Sequence, residues 1–115
     1  GGSIINISST NAIDSYYIES IDYDASKIGI ISLTHNLAKY YAPRVRVNCI
    51  CPGWVDTLMN KDLSKEQKEY ENKKILLNRF AKPSEIANVI YFIASDEGSY
   101  INDAIIKVDG GRNND

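Results

Sequence analysis

Three prolines, two cysteines, one histidine and one tryptophan are all that these residue types contribute to a chain of 115 residues. Cys49 and Cys51 have neither a second cysteine pair nor a histidine cluster to complete a spaced zinc-ligand set, so no metal site is expected. They sit in a strand-like run and read as packing groups rather than redox groups. No stretch approaches the roughly 18 consecutive apolar residues that cross a bilayer. No basic segment leads into an apolar one near the start, and a cytoplasmic location with no membrane partner is the expectation. Neither charge sign prevails, with 13 Lys and Arg against 15 Asp and Glu. The chain therefore lacks the basic field that draws nucleic-acid phosphates, and no nucleic acid is expected as a partner. None of the seven glycines builds a glycine-rich turn between a strand and a helix. The pyrophosphate cradle of a dinucleotide-binding sheet is thus missing from these residues.

What is present suffices for one folded domain. Hydrophobic residues make up 43% and charged residues 24%, values of ordinary globular chains rather than disordered ones. Residues 3–8 (SIINIS) form a short β-branched run suited to a strand buried on both faces. A polar, turn-rich segment over 11–22 predicts a loop. From Asp24 to Tyr41 nothing breaks a helix, and Ile28, Ile31, Leu37, Ala38 and Tyr41 fall near helical spacing, broadened by Ile30, Leu33 and Tyr40. So wide an apolar surface predicts cover on two sides, by a sheet and by a partner subunit. Val45 to Ile50 reads as a second strand ended by Pro52-Gly53. Ser64 to Leu76 reads as a charged helix opened by a Ser64/Gln67 capping box. Pro83 to Ala94 is a helix with proline at an early position and an inward stripe of Ile86, Ala87, Val89, Ile90 and Ile93. Ala104 to Val108 is a last strand before Asp109-Gly110-Gly111, and Arg112 to Asp115 reads as a frayed tail. The alternation predicts an α/β fold with a three-stranded parallel sheet and right-handed crossovers.

Tyr23 and Lys27 lie four apart at the start of the first helix, which sets both side chains on one face. An ammonium beside a phenol favours the phenolate, and such a pair can exchange protons with an alcohol or a carbonyl. Eight Tyr and nine Lys in this chain give roughly 0.6 such pairs by chance, and Tyr70 with Lys74 is a second one, read as surface decoration. Position distinguishes the first pair. Ser9 closes the first strand, and ligands gather outside the carboxyl ends of strands in open α/β sheets. A hydroxyl there can donate to a carbonyl oxygen as charge develops on it. The second strand ends in a glycine-opened loop on the same rim, where backbone can approach a flat ligand closely. Trp54 in that loop suits packing or ligand contact equally well. His35 has no acid or nucleophile at a useful spacing and reads as an ordinary helical residue.

The segments NISS, YDASKIG, VNCICPGWVDT, KPSEIANVIYFIASDEGSYI and VDGG, in this order, resemble consecutive signatures of the short-chain dehydrogenase/reductase family across nearly the whole chain. The nearest likeness is to bacterial 3-oxoacyl-(acyl-carrier-protein) reductases and similar sugar or alcohol dehydrogenases. The resemblance implies a partial Rossmann-like parallel sheet, with residues 1–115 as the C-terminal catalytic half and the N-terminal cofactor-binding half absent. It implies NAD or NADP as cofactor, a carbonyl, alcohol or acyl thioester substrate, and a homo-oligomer. Tyr23 would be the proton donor, Lys27 would assist it and hold the nicotinamide ribose, and Ser9 would orient the carbonyl. Pro52, Gly53, Val55 and Thr57 would line the nicotinamide side, with Trp54 facing the cofactor or substrate entrance. Asn102-Asp103 departs from the Thr-Gly of many relatives and is expected to unsettle the turn before the last strand. The missing phosphate turn leaves a reading of another class open, a non-catalytic fragment acting as an oligomerisation module.

Overall fold

The computed structural model describes residues 1–13, 18–60 and 62–113. The strands are β1 (Gly2–Ile7), β2 (Val45–Pro52) and β3 (Ile105–Val108), and the helices are α1 (Ile21–Tyr41), α2 (Lys65–Lys73) and α3 (Pro83–Ala94). The strands form one parallel sheet in the order β1-β2-β3, with Ile4 opposite Val47 and Ile50 opposite Ile106. β2 is the central strand, and Val47, Asn48, Cys49, Ile50 and Cys51 along it are fully buried. A strand with a neighbour on each edge and a helix on each face needs apolar or fully bonded side chains throughout. Asn48 meets that condition by donating Nδ2 to the Ile101 carbonyl at 3.0 Å and accepting the Ala104 N–H at 2.9 Å.

α1 packs on the face that carries Cys49, where Asn6 Nδ2 donates to Thr34 Oγ1 at 3.1 Å. α3 lies on the opposite face, where Arg46 reaches the carbonyls of Ile93 and Ile101 at 2.7 and 2.9 Å. Both crossovers travel in the same direction across the sheet, yet their helices cover opposite faces. The two connections are therefore of opposite hand, whereas the alternation of elements predicts right-handed crossovers throughout.

The elements otherwise follow the sequence closely. α3 has the predicted bounds, and the Ser64/Gln67 capping box is made in both directions, at 3.1 and 2.9 Å. α1 starts at Ile21, three residues before the predicted start, so Tyr23 stands inside its first turn. Asp22 and Asp24 sit in that turn, where negative charge is favoured by the helix dipole. The apolar residues of α1 are not gathered on one side. Thr34 and Ala38 are buried, while Ile28, Leu33 and Tyr40 face outward.

Of the expected frayed tail, Arg112 and Asn113 are held, and residues 114–115 lie outside the described residues. Arg112 bridges to Ile75, and the Asn113 N–H donates to the Lys74 carbonyl at 2.8 Å. The Asn102-Asp103 turn is firmly bonded as well. Asn102 Oδ1 accepts the Val47 N–H at 2.9 Å, and Asp103 takes a left-handed φ of 56° and pairs with His35 at 2.5 Å. His35 thus has an acidic partner 68 residues away that no local spacing could reveal.

Candidate active site

All three strands run parallel, so their carboxyl ends share one rim. β1 delivers Ser8 and Ser9 there, and Ser9 is buried at the start of the short turn Thr10–Ala12. Its Oγ accepts the Asn11 N–H at 3.2 Å, which leaves the hydroxyl hydrogen free to donate elsewhere. Ser8 faces the other way and donates to the Lys27 carbonyl at 2.7 Å, anchoring β1 to the first turns of α1. Tyr23 and Lys27 occupy successive turns of α1, with Lys27 Nζ 5.3 Å from the Tyr23 ring centre.

β2 delivers the loop that begins at Gly53. A Cβ at Gly53 would lie 2.8 Å from Cβ of Asp109, a separation real side chains do not tolerate, so glycine is required where the loops after β2 and β3 meet. The Gly53 N–H also donates to the Val108 carbonyl at 3.1 Å. Beyond it, Trp54 stacks on Phe80 and donates Nε1 to Glu71 of α2 at 3.2 Å.

These pieces enclose a cavity of about 620 Å³. Ser9, Tyr23, Gly53, Trp54, Val55 and Thr57 all line it. Of the residues singled out in the sequence, Lys27 and Pro52 are not on its wall. Lys27 stands against the Tyr23 ring, and Pro52 is the last residue of β2, opposite Val108. Asn11, Glu71 and Asp109 also line the cavity, as does Lys74, which reads from the sequence as surface decoration. Asp109 was signalled by the closing VDGG segment, whereas Glu71 and Lys74 reach the cavity only through the way α2 is laid over the rim. Lys74 belongs to the second Tyr/Lys pair, with Nζ 4.2 Å from the Tyr70 ring centre, and it borders the cavity rather than merely decorating the surface.

Cys49 and Cys51 are fully buried below this rim as reduced thiols, in keeping with a packing role. The hydrogen bond with Cys49, reinforced by burial, pushes the Cys51 thiol well above its ordinary range.

Residues 1–113 match the family model described as enoyl-(acyl carrier protein) reductase. The chain is 43% identical over 111 residues to a 3-oxoacyl-(acyl-carrier-protein) reductase FabG of Thermotoga maritima, covering 96% of this chain and 45% of that protein. It superposes with a TM-score of 0.88 and 36% identity on a Brucella melitensis short-chain dehydrogenase/reductase, over 95% of this chain and 44% of the other. The chain belongs to the short-chain dehydrogenase/reductase family. Within that family its relatives differ in what they are named for. A glucose 1-dehydrogenase 2 of Bacillus subtilis is 38% identical over 112 residues, again across 96% of this chain and 43% of the relative. The chain spans about half or less of the length of the short-chain dehydrogenases/reductases it matches.

Proposed function

We propose that residues 1–115 form the catalytic half of a nicotinamide-dependent oxidoreductase that interconverts a carbonyl and a hydroxyl group, with 3-oxoacyl thioesters as the substrate class. The observation that carries this reading is the convergence of Ser9, Tyr23 and the loop from Gly53 to Thr57 on one cavity, with Lys27 standing against Tyr23. The phenol, the ammonium and the glycine-opened loop suit the nicotinamide ribose and a flat ring. No glycine-rich turn among the described residues suits a pyrophosphate, so that group's site is sought elsewhere in the parent protein. NAD or NADP, when bound, supplies the hydride.

Within this chain the division of labour follows from the geometry. The Ser9 hydroxyl, already accepting the Asn11 N–H, donates its own hydrogen to the substrate oxygen. The Tyr23 phenol gives a proton to that oxygen as it gains negative charge, and takes it back in the reverse direction. The Lys27 ammonium, behind the ring, favours the phenolate that remains. Trp54 and Glu71 of α2 line one wall of the cavity.

The relatives named as 3-oxoacyl-(acyl-carrier-protein) reductases support the thioester class. The deciding experiment compares the full chain with Tyr23→Phe, using a 3-oxoacyl thioester with NADPH and with NADH. A loss of about 10²–10⁴ in turnover with an unchanged circular dichroism spectrum supports the assignment. Near-normal turnover in the variant sinks it.

A second reading is favoured by the outward-facing Ile28, Leu33 and Tyr40 of α1 and by the outer edge of β1, which has no strand beside it among the described residues. It makes the chain an oligomerisation module without turnover of its own. A monodisperse monomer in sedimentation counts against it.

A further inference from the structure

The loop that carries Ser9 and the helix that carries Tyr23 are joined through Asn11. The Asn11 backbone N–H donates to Ser9 Oγ at 3.2 Å, and its side-chain Nδ2 donates to Oδ1 of Asp24 at 2.7 Å. Asp24 directly follows Tyr23 and is 9% exposed. Ser20, at the N-cap position of α1, makes no side-chain cap bond and instead donates Oγ to the same Asp24 oxygen at 3.2 Å. A serine diverted from capping and an amide placed at a short, charge-assisted distance both serve a buried carboxylate in the first turn of a helix. Such a carboxylate needs partners to be buried at all, and the helix dipole contributes in the same direction.

We propose that Asn11 and Asp24 are positioning residues for the reaction. Asn11 holds the Ser9 hydroxyl with its backbone and the start of α1 with its side chain, and with the Ser8 bond to the Lys27 carbonyl it sets the spacing between Ser9 and Tyr23. Without that link the Ser8 bond still ties β1 to α1, but the Ser9 hydroxyl is no longer held against the turn that carries Tyr23. A misplacement of about 1 Å in such a constellation costs about 10² in rate. The proposal rests on the reading of Ser9 and Tyr23 as the groups that act on the substrate oxygen.

The test is a swap in the full chain. Asn11→Asp sets two carboxylates face to face, Asp24→Asn keeps an acceptor oxygen opposite Asn11, and the double variant restores the bond with donor and acceptor exchanged. The first readout, amide hydrogen exchange at residue 11, needs no activity. Exchange there is expected to rise about tenfold in Asn11→Asp while the Cys49 and Ile50 amides hold, and to return in the double variant. The second readout is the split of kinetic constants. The Asn11→Asp variant is expected to lose about 10–100-fold in kcat with the cofactor KM within about twofold, a pattern that general loosening of the fold would not give. The double variant recovers kcat. Unchanged exchange in Asn11→Asp, unrecovered exchange in the double variant, or normal kcat despite raised exchange overturns the proposal. A parent protein without turnover sinks the oxidoreductase reading instead, and the exchange readout then decides the link by itself.

Discussion

Trp54 stacks on Phe80 with ring centres 5.2 Å apart and planes 11° from parallel. α2 has no buried residue of its own, yet Glu71 accepts the Trp54 Nε1–H and Lys68 Nζ lies 5.3 Å from the Phe80 ring centre. The stack is therefore the platform on which α2 sits. Phe80→Ala is expected to destabilise the protein by about 3–5 kcal/mol and to shift the emission of the chain's single tryptophan to the red. Chemical denaturation followed by that emission measures both effects, and an unshifted midpoint refutes the platform.

Asn48 is the polar residue on which the join between β2 and the turn before β3 depends. Replacing it with Ala orphans the Ala104 N–H, while the Ile101 carbonyl keeps its bond from Arg46. At about 1–3 kcal/mol for a buried unsatisfied group, Asn48→Ala should cost about 1–3 kcal/mol. Leu in its place restores volume without restoring either bond, so it should rescue little. A urea midpoint close to that of the unaltered protein in either variant contradicts this account.

Cys49 and Cys51 are sealed beneath the rim, and Cys51 is held as a thiol by Cys49 and by burial. A thiol-reactive disulfide reagent should label neither in the native protein and both after denaturation. Rapid native labelling would mean that the β2 face opens far more readily than its packing implies.

Arg79 pairs with Glu85 through two bonds at 2.6 and 2.8 Å, and Glu85 also accepts the Lys82 N–H at the start of α3. The hydrogen bond from Arg79 comes first among the causes that pull the Glu85 carboxyl down to about 2. A carboxyl lowered in the fold contributes stability that is present above the ordinary carboxylate range, near 4.5, and is lost as pH falls toward 2. Carbon-detected NMR titration of Glu85 should show this low midpoint, and Arg79→Met should raise it toward the ordinary range. A midpoint that stays low in the variant would assign the shift to the helix start instead.

How far the sequence could be read depended on the range of the interactions involved. The strands, α3 and the Ser64/Gln67 box were legible because their signals lie within a few residues. β-branched runs mark the strands, Pro83 precedes an isoleucine stripe, and a serine stands three residues before a glutamine. The placement of Ser9, Tyr23 and the loop after β2 on one rim was legible too, since parallel strands deliver their carboxyl ends to the same side. What escaped was set by contacts across the fold. The His35–Asp103 pair and the Arg46 bonds to Ile93 and Ile101 span 68, 47 and 55 positions. The inward Thr34 and outward Leu33 invert the usual pattern because Thr34 is satisfied by the Ile30 carbonyl and by Asn6. The early start of α1 did leave a local mark in Asp22 and Asp24, which suit a first helical turn.

The opposed faces of α1 and α3 give the two crossovers unequal duties. α1 and the turn at Asn11 fix the reacting rim, whereas the long detour from β2 through α2 and α3 to β3 holds the residues that shape the far wall of the cavity. On the proposed reading, the groups that act on the substrate oxygen come from the first connection, and the second supplies both the loop at the nicotinamide and the far wall. On that reading α2 can be rewritten for a new substrate while Ser9, Tyr23 and Lys27 stay where they are, and a change in the first crossover alters turnover of every substrate alike.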